Sequence, residues 1–168
     1  MSTKRLLLSA LVRNRPGVLA QISGLFSARA FSIDSLSVGE TEDPNLSRMT
    51  IVSHGEERTL EQVRKQLERV IDVIKVYEFD PSDAVERDLL LVKVHAPPAK
   101  RPEIVATCDI FRGRVVDVGP NALVIELSGT PEKISAFIDL MRPYGIKEVA
   151  RTGSLAMGRG SGMGGPQK

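Results

Sequence analysis

The same order of predicted elements, βαββαβ, occurs twice along the 168 residues, and this repeat limits the possible folds more than any single motif does. In the first copy, the hydrophobic pattern predicts strands at residues 6–12, 33–40, 48–54 and 73–79 and helices at residues 17–29 and after a capping box at residues 59–62. In the second copy, it predicts strands at residues 89–95, 114–118, 123–127 and 146–152 and helices at residues 102–111 and 131–141. Thr130 is predicted to cap the second of these helices. Each copy should place two helices on one face of a four-stranded antiparallel sheet, which is the ferredoxin-like arrangement of the α+β class.

The first predicted helix begins at a polar turn, Arg13-Asn14-Arg15-Pro16-Gly17. Apolar residues recur behind this turn at helical spacing, and they are Val18, Leu19, Ile22, Leu25 and Phe26. The first turn of a helix has N–H groups without partners inside the helix and lies at the positive end of the helix dipole. Because glycine has no side chain, a carboxylate can approach these N–H groups closely. The segment therefore favours a sensor of a small acid.

Turn-forming residues 80–83, with the sequence Asp-Pro-Ser-Asp, separate the two copies. We therefore expect a first domain over residues 1–80 and a second domain over residues 81–156. Residues 157–168 are rich in glycine and have little to bury, which predicts a disordered tail. Residues 160–165 of this tail fit the pattern GxGxxG, but a dinucleotide-binding fingerprint needs a strand before it and a helix after it.

Composition argues against polyanionic partners. The chain has 23 basic and 21 acidic residues and a formal net charge of +2, so no long-range field attracts nucleic acid or an anionic membrane. The single cysteine, Cys108, rules out an internal disulfide framework and is predicted on a buried helix face. The apolar run near the N-terminus is too short to span a bilayer and has no convincing signal-peptide cleavage site, so we expect a cytoplasmic protein.

The sequence carries few residues in patterns typical of catalysis. His54 and His95 each fall at the end of a predicted strand, with no cysteine or carboxylate at metal-ligand spacing, and both are predicted to be solvated. The chain contains no GxSxG elbow, no phosphate-binding loop, no CxxC pair and no HExxH helix. The central strands of the first copy carry no aromatic residue on which bases stack, which argues against RNA binding. A binding or regulatory module without catalytic or metal-ligating residues remains.

Several segments support a resemblance to a known family. They are residues 14–19 (NRPGVL), 24–27 (GLFS), 31–36 (FSIDSL), 43–51 (DPNLSRMTI) and 61–67 (EQVRKQL) of the first copy, and residues 91–94 (LVKV), 110–113 (IFRG) and 115–118 (VVDV) of the second. Through them the first copy resembles an ACT domain. The whole chain except its tail resembles the small, regulatory subunit of acetolactate synthase, also called acetohydroxyacid synthase.

The resemblance implies a non-catalytic subunit that binds and activates the large, catalytic subunit of acetolactate synthase. It also implies feedback inhibition by a branched-chain amino acid, commonly valine, and a homodimer or larger homo-oligomer in which two ACT sheets join side by side. The condensation of pyruvate then belongs to the partner, as do its cofactors thiamine diphosphate, Mg²⁺ and FAD, and this chain binds none of them. The alternative is a free-standing ACT-type amino-acid sensor that controls another enzyme or transcription.

In the resembled family, the effector lies between the helix-1 turn of one chain and the second strand of another. Carried over to this chain, the site residues are Asn14, Gly17, Val18, Leu19, Ser32, Ile33 and Val38. Amides at Gly17 and Val18 would bind the effector carboxylate, and the Asn14 side chain would offer both a donor and an acceptor to its charged ends. The remaining apolar residues would contact a branched side chain. The structural alternative is that the Pro-Gly pair only makes a tight turn and the apolar residues fill the core.

Ser32 departs from the family pattern, which usually has asparagine at this position. A hydroxyl is shorter than an amide and has fewer hydrogen-bonding atoms. The loss of one such contact costs about 1 kcal/mol, or about fivefold in affinity. We therefore expect weaker inhibition by valine or a different preferred effector.

Overall fold

The structure, a computed structural model, describes residues 3–160. These residues form two compact units, one made of residues 3–85 with residues 154–160 and the other made of Glu86–Gly153. Each unit has the predicted βαββαβ order, and the α+β ferredoxin-like fold is confirmed.

The first unit is a four-stranded antiparallel sheet with two helices on one face. Its strands are β1 (Lys4–Arg13), β2 (Ser35–Glu40), β3 (Leu46–Gly55) and β4 (Val73–Glu78), and its helices are α1 (Val18–Ala28) and α2 (Glu57–Leu67). The strand order is β2-β3-β1-β4, so that β2 and β4 are the edges of this sheet. Strand β1 pairs with β3 over its full length, from Lys4 opposite Gly55 to Arg13 opposite Leu46.

The two faces of this sheet carry separate apolar clusters, because successive side chains of a strand point to opposite faces. The helix-side core includes Leu6, Leu8, Ala10, Val12, Val18, Ile22, Phe26, Met49, Ile51, Leu60, Val63 and Leu67. The opposite face carries a smaller cluster of Leu7, Val52, Tyr77, Phe79, Ala84 and Ala156. Each face of the sheet therefore packs its apolar side chains into a separate cluster.

The second unit repeats the same topology. Its strands are β5 (Ala84–His95, which begins in the first unit), β6 (Arg114–Val118), β7 (Ala122–Gly129) and β8 (Ile146–Arg151), and its helices are α3 (Arg101–Ile110) and α4 (Pro131–Met141). The order β6-β7-β5-β8 is the counterpart of β2-β3-β1-β4. As predicted, Thr130 caps α4, since its side chain accepts a hydrogen bond from the Lys133 N–H at 3.3 Å, and Cys108 is buried.

The chain ends differently from the sequence-based expectation. Residues Ser154–Gly160 group with the first unit, and a short strand, β9 (Leu155–Gly158), pairs with β5. Ala156 reaches the outer apolar cluster, and the Ser154 N–H donates to the Ser35 hydroxyl at 2.8 Å. Met157 and Gly158, expected in the disordered tail, thus belong to a strand, whereas residues 161–168 of that tail lie outside the described residues.

The predicted capping box at residues 59–62 is wrong. Helix α2 begins at Glu57, two residues before Thr59, and its N-cap residue, Glu56, makes no side-chain capping bond. Thr59 therefore lies inside the first turn, where its side chain cannot serve as the cap. The buried spacing of Leu60, Val63 and Leu67 fixes which face of the helix meets the sheet, but it leaves the starting residue open.

Candidate functional site

The start of α1 is built around Gly17, the N-cap residue. Its backbone has φ 90° and ψ −12°, a left-handed conformation that glycine adopts without the strain of a Cβ atom. No side chain caps this helix, and the Val18 N–H makes only a long bond, 3.4 Å, to the Arg15 carbonyl. The first turn therefore offers backbone N–H groups to which a carboxylate can bind.

Asn14 is held by three hydrogen bonds. Its backbone N–H donates to the Asn45 carbonyl at 2.7 Å, and its side-chain Nδ2 donates to the Pro44 carbonyl at 2.9 Å and to Glu40 Oε1 at 3.0 Å. Because both side-chain partners can only accept, the amide nitrogen must face them. The carbonyl Oδ1 is the atom left for a ligand, so Asn14 offers an acceptor rather than the donor and acceptor expected from the sequence.

The turn that holds Asn14 is itself fixed by Asp43. Its Oδ1 accepts hydrogen bonds at 2.9 Å from both the backbone N–H and the side-chain Nδ2 of Asn45. Its backbone carbonyl accepts the Leu46 N–H at 2.9 Å. Asp-Pro-Asn is a common turn sequence, because aspartate bonds the backbone two residues ahead. This motif supported the family resemblance, and the structure gives it a local role beside Asn14.

Ser32 lies in the loop between α1 and β2, and β3 anchors that loop. The buried hydroxyl of Ser53 donates to the Ser32 carbonyl at 2.6 Å, and the Asp34 N–H donates to the Val52 carbonyl at 2.9 Å. The Asp34 carboxylate pairs with His54 Nδ1. Three consecutive residues of β3 thus hold the loop that carries Ser32.

Asn14 and Ser32 lie near opposite ends of the same sheet. Asn14 directly follows Arg13, which is opposite Leu46, whereas Ser53, which binds Ser32, is opposite Leu6. Leu6 and Arg13 are seven residues apart along β1, which corresponds to about 24 Å. A single copy of the chain therefore does not bring Asn14 and Ser32 to the same small ligand.

The four apolar candidates divide into buried and exposed side chains. Val18 is 3% exposed and belongs to the core, and Ile33 is partly buried against that core. Leu19 and Val38 are 47% and 46% exposed. Val38 is on the edge strand β2, opposite Met49. The structural alternative thus accounts for Val18, whereas Leu19 and Val38 present apolar surface that a ligand or a second chain can cover.

Three residues that make contacts in this region, Glu40, Asp34 and Ser53, were not among the candidates. Asp34 pairs with His54 although the two are 20 positions apart in the chain. His54 is exposed, as predicted. One signal was present in the sequence: Ser53 continues the core-facing alternation of Met49 and Ile51, and a polar residue at a core position needs a hydrogen-bond partner.

The other chemically active groups of the described residues form no recognisable centre. Among residues 3–160, no cluster of histidine, cysteine and carboxylate side chains has the arrangement of a metal site. Burial raises the pKa of the Cys108 thiol, with a smaller contribution from Asp109, and this favours the unreactive protonated form. None of the helices in this part of the chain is long and apolar enough to cross a membrane.

In the second unit, hydrogen bonds from an arginine hold the turn that corresponds to the glycine turn of the first unit. Between β5 and α3 lies a short 3-10 turn, Pro98–Lys100, followed by Arg101 and Pro102 instead of a glycine at the helix start. The Arg101 guanidinium donates to the carbonyls of Ala96 and Pro120 at 3.1 and 2.7 Å, and also to the Gly119 carbonyl. An arginine thus ties this turn to the β6–β7 turn, and the candidate site of the first unit is not repeated.

Comparison with known families identifies both halves of the chain. Residues 8–75 match the model of the small-subunit-like ACT domain of acetohydroxyacid synthase. Residues 87–160 match the model of the small subunit of acetolactate synthase. The second match continues through β9, in agreement with the ordered segment that follows β8.

Whole-chain relatives agree with these matches. The chain is 56% identical over 154 residues to a probable acetolactate synthase small subunit of Archaeoglobus fulgidus, covering 92% of this chain and 96% of that protein. It is 48% identical over 153 residues to the acetolactate synthase small subunit of Mycolicibacterium smegmatis, covering 91% and 90%. The crystal structure of the small subunit from Thermotoga maritima matches with a TM-score of 0.87 and 40% identity, covering 94% of this chain and 99% of that one. The chain therefore belongs to the family of acetolactate synthase small subunits, with an ACT domain as its first unit.

Proposed function

We propose that this chain binds and activates the catalytic subunit of acetolactate synthase and confers feedback inhibition by a branched-chain amino acid. Membership of the small-subunit family supports a regulatory, non-catalytic role. Thiamine diphosphate, Mg²⁺ and FAD are then held by the catalytic subunit, and the condensation of pyruvate takes place there.

The separation of Asn14 from Ser32 along the sheet is the observation that supports an effector site shared by two copies of the chain. Two copies joined antiparallel along the edge strand β2 would place the Ser32 end of one chain beside the Asn14 and Gly17 end of the other. Such an arrangement completes a site that each copy holds only in halves. A homodimer, or a larger assembly built from it, is therefore the form that binds the amino acid.

At this interface between two copies, each group of the site would contact a different part of the effector. The N–H groups at the start of α1 bind the effector carboxylate, and Asn14 Oδ1 accepts a hydrogen bond from the ammonium group. Leu19 and Val38, which are exposed in the single chain, cover the branched side chain. Ser32 contacts the ligand through a hydroxyl, which reaches less far than the amide usual in the family.

The test is acetolactate production by the co-purified catalytic subunit, with and without this chain, across a valine titration. Activation that valine reverses supports both parts of the proposal. Activation without a valine response supports the subunit role and calls for leucine and isoleucine titrations, because Ser32 is expected to alter the effector preference. The absence of any activation contradicts the proposal and favours a free-standing amino-acid sensor.

A further inference from the structure

Glu40 places a carboxylate beside Asn14 of the candidate site. It lies at the end of β2, is exposed, and its Oε1 accepts the hydrogen bond from Asn14 Nδ2 at 3.0 Å. Within residues 3–160, no lysine or arginine forms an ion pair with it. Its negative charge is therefore available to a ligand.

The side-chain oxygen of Asn14 adds a second negatively polarised atom beside the Glu40 carboxylate. Because Asn14 turns its nitrogen toward Glu40 and the Pro44 carbonyl, its Oδ1 is the outward end of the amide. A carboxylate and an amide oxygen on the two sides of one hydrogen bond favour a positive group and disfavour a second negative one. The start of α1, three residues further along the chain, has the opposite polarity.

We propose that Glu40 makes the site selective for α-amino acids over the 2-oxo acids that carry the same side chain. An amino acid and its 2-oxo counterpart share the carboxylate and the apolar group, and only the amino acid has an ammonium group. Glu40 attracts that ammonium and gives no compensation to a neutral oxo group. This inference rests on the proposed function, which places the effector at Asn14 and Gly17.

The selectivity has a consequence for the reaction assigned to the partner. A synthase that condenses 2-oxo acids works among molecules that share the effector's carboxylate and carry an apolar group but have no ammonium group. A regulatory site that recognised only the carboxylate and the apolar side chain would respond to these substrates. Recognition of the ammonium group by Glu40 restricts the response to amino acids.

The variant Glu40→Gln separates charge from hydrogen bonding, because glutamine keeps an Oε1 acceptor for Asn14 Nδ2. Glu42→Gln is the matched control, since Glu42 is an exposed carboxylate in the adjacent turn and makes no hydrogen bond to Asn14. Binding of valine and of 3-methyl-2-oxobutanoate to the full chain is measured by calorimetry, and inhibition of the assembled enzyme by valine is measured in parallel.

Glu40→Gln is expected to weaken valine binding about fivefold and to leave 3-methyl-2-oxobutanoate unchanged or slightly tighter, as the loss of one exposed charge pair predicts. Glu42→Gln should match the unsubstituted chain for both ligands. Unchanged valine binding in Glu40→Gln, or an equal loss for both ligands, would overturn this inference while leaving the proposed function standing. No binding of valine, leucine or isoleucine by the unsubstituted chain would overturn the feedback part of the proposed function and this inference with it.

Discussion

The Ser53 hydroxyl, buried on the helix side of the first sheet, donates a 2.6 Å hydrogen bond to the backbone carbonyl of Ser32. A core-facing side chain of β3 thereby fixes the loop that carries a candidate effector residue. The relationship links packing in the sheet to the geometry of a surface loop, and it can be tested by removing one atom.

Ser53→Ala should loosen this loop, because the Ser32 carbonyl loses its partner at a cost of about 1 kcal/mol. Hydrogen exchange should quicken in residues 31–36 and stay unchanged in α2. Ser53→Thr, which keeps the hydroxyl, should restore protection. If Ser53→Ala exchanges like the unsubstituted chain, the hydrogen bond does not position the loop.

Ser32→Asn should tighten feedback inhibition, because an amide reaches further than a hydroxyl and has more hydrogen-bonding atoms. The half-inhibitory valine concentration of the assembled enzyme is expected to fall about fivefold, the value of one hydrogen bond of about 1 kcal/mol. Activation at zero valine should stay the same. An unchanged or weakened valine response would contradict the role assigned to position 32.

Gly17→Ala should destabilise the chain by about 1 kcal/mol, because the φ of 90° strains any residue with a Cβ atom. Gly24→Ala is the matched control, since Gly24 lies inside α1 with no atom within 4 Å of an added Cβ. That second change should stabilise the chain by about 0.5 kcal/mol or more. Denaturant unfolding measures both, and equal effects of the two changes would refute the strain argument.

Ala156→Asp should destabilise the first unit by about 2 kcal/mol, because Ala156 is 8% exposed within the outer apolar cluster. Met157→Asp provides the comparison, since Met157 is 69% exposed and should tolerate the charge. Thermal unfolding of the full chain distinguishes the two. A neutral Ala156→Asp would show that β9 is not part of the folded first unit.

The pKa of the Cys108 thiol, raised mainly by burial, predicts a loss of stability at high pH. The unfolded thiol titrates at about pH 8.5, and the folded protein holds the proton more tightly. The stability that comes from keeping this thiol protonated in the folded state is fully present below about pH 8.5, and it is lost as the pH rises through the folded pKa. The free energy of unfolding should fall more steeply above about pH 8.5 in the unsubstituted chain than in Cys108→Ala. Parallel pH profiles would contradict this assignment.

Much of the fold follows from the sequence because short-range patterns specify it. The short apolar runs of β1 and β3 and the helical spacing in α1 and α4 are local properties, and the repeated order of elements leaves few ways to bury them. Thr130 caps α4 as predicted, since threonine followed by proline is a strong local signal. The start of α2 was misplaced because Thr59 carries a capping pattern inside a helix that begins earlier.

The βαββαβ repeat, the glycine at the start of α1 and the residues that mark the family can be read from the order of amino acids. Three contacts become visible only in the folded chain: Asn14 turns its nitrogen toward Glu40, Ser53 binds Ser32, and Ala156 joins the outer cluster of the first unit. These contacts join residues 26, 21 and more than 70 positions apart. The periodicity within one element carries no information about such pairs. They depend on the register between strands and on where a later segment of the chain packs against an earlier one.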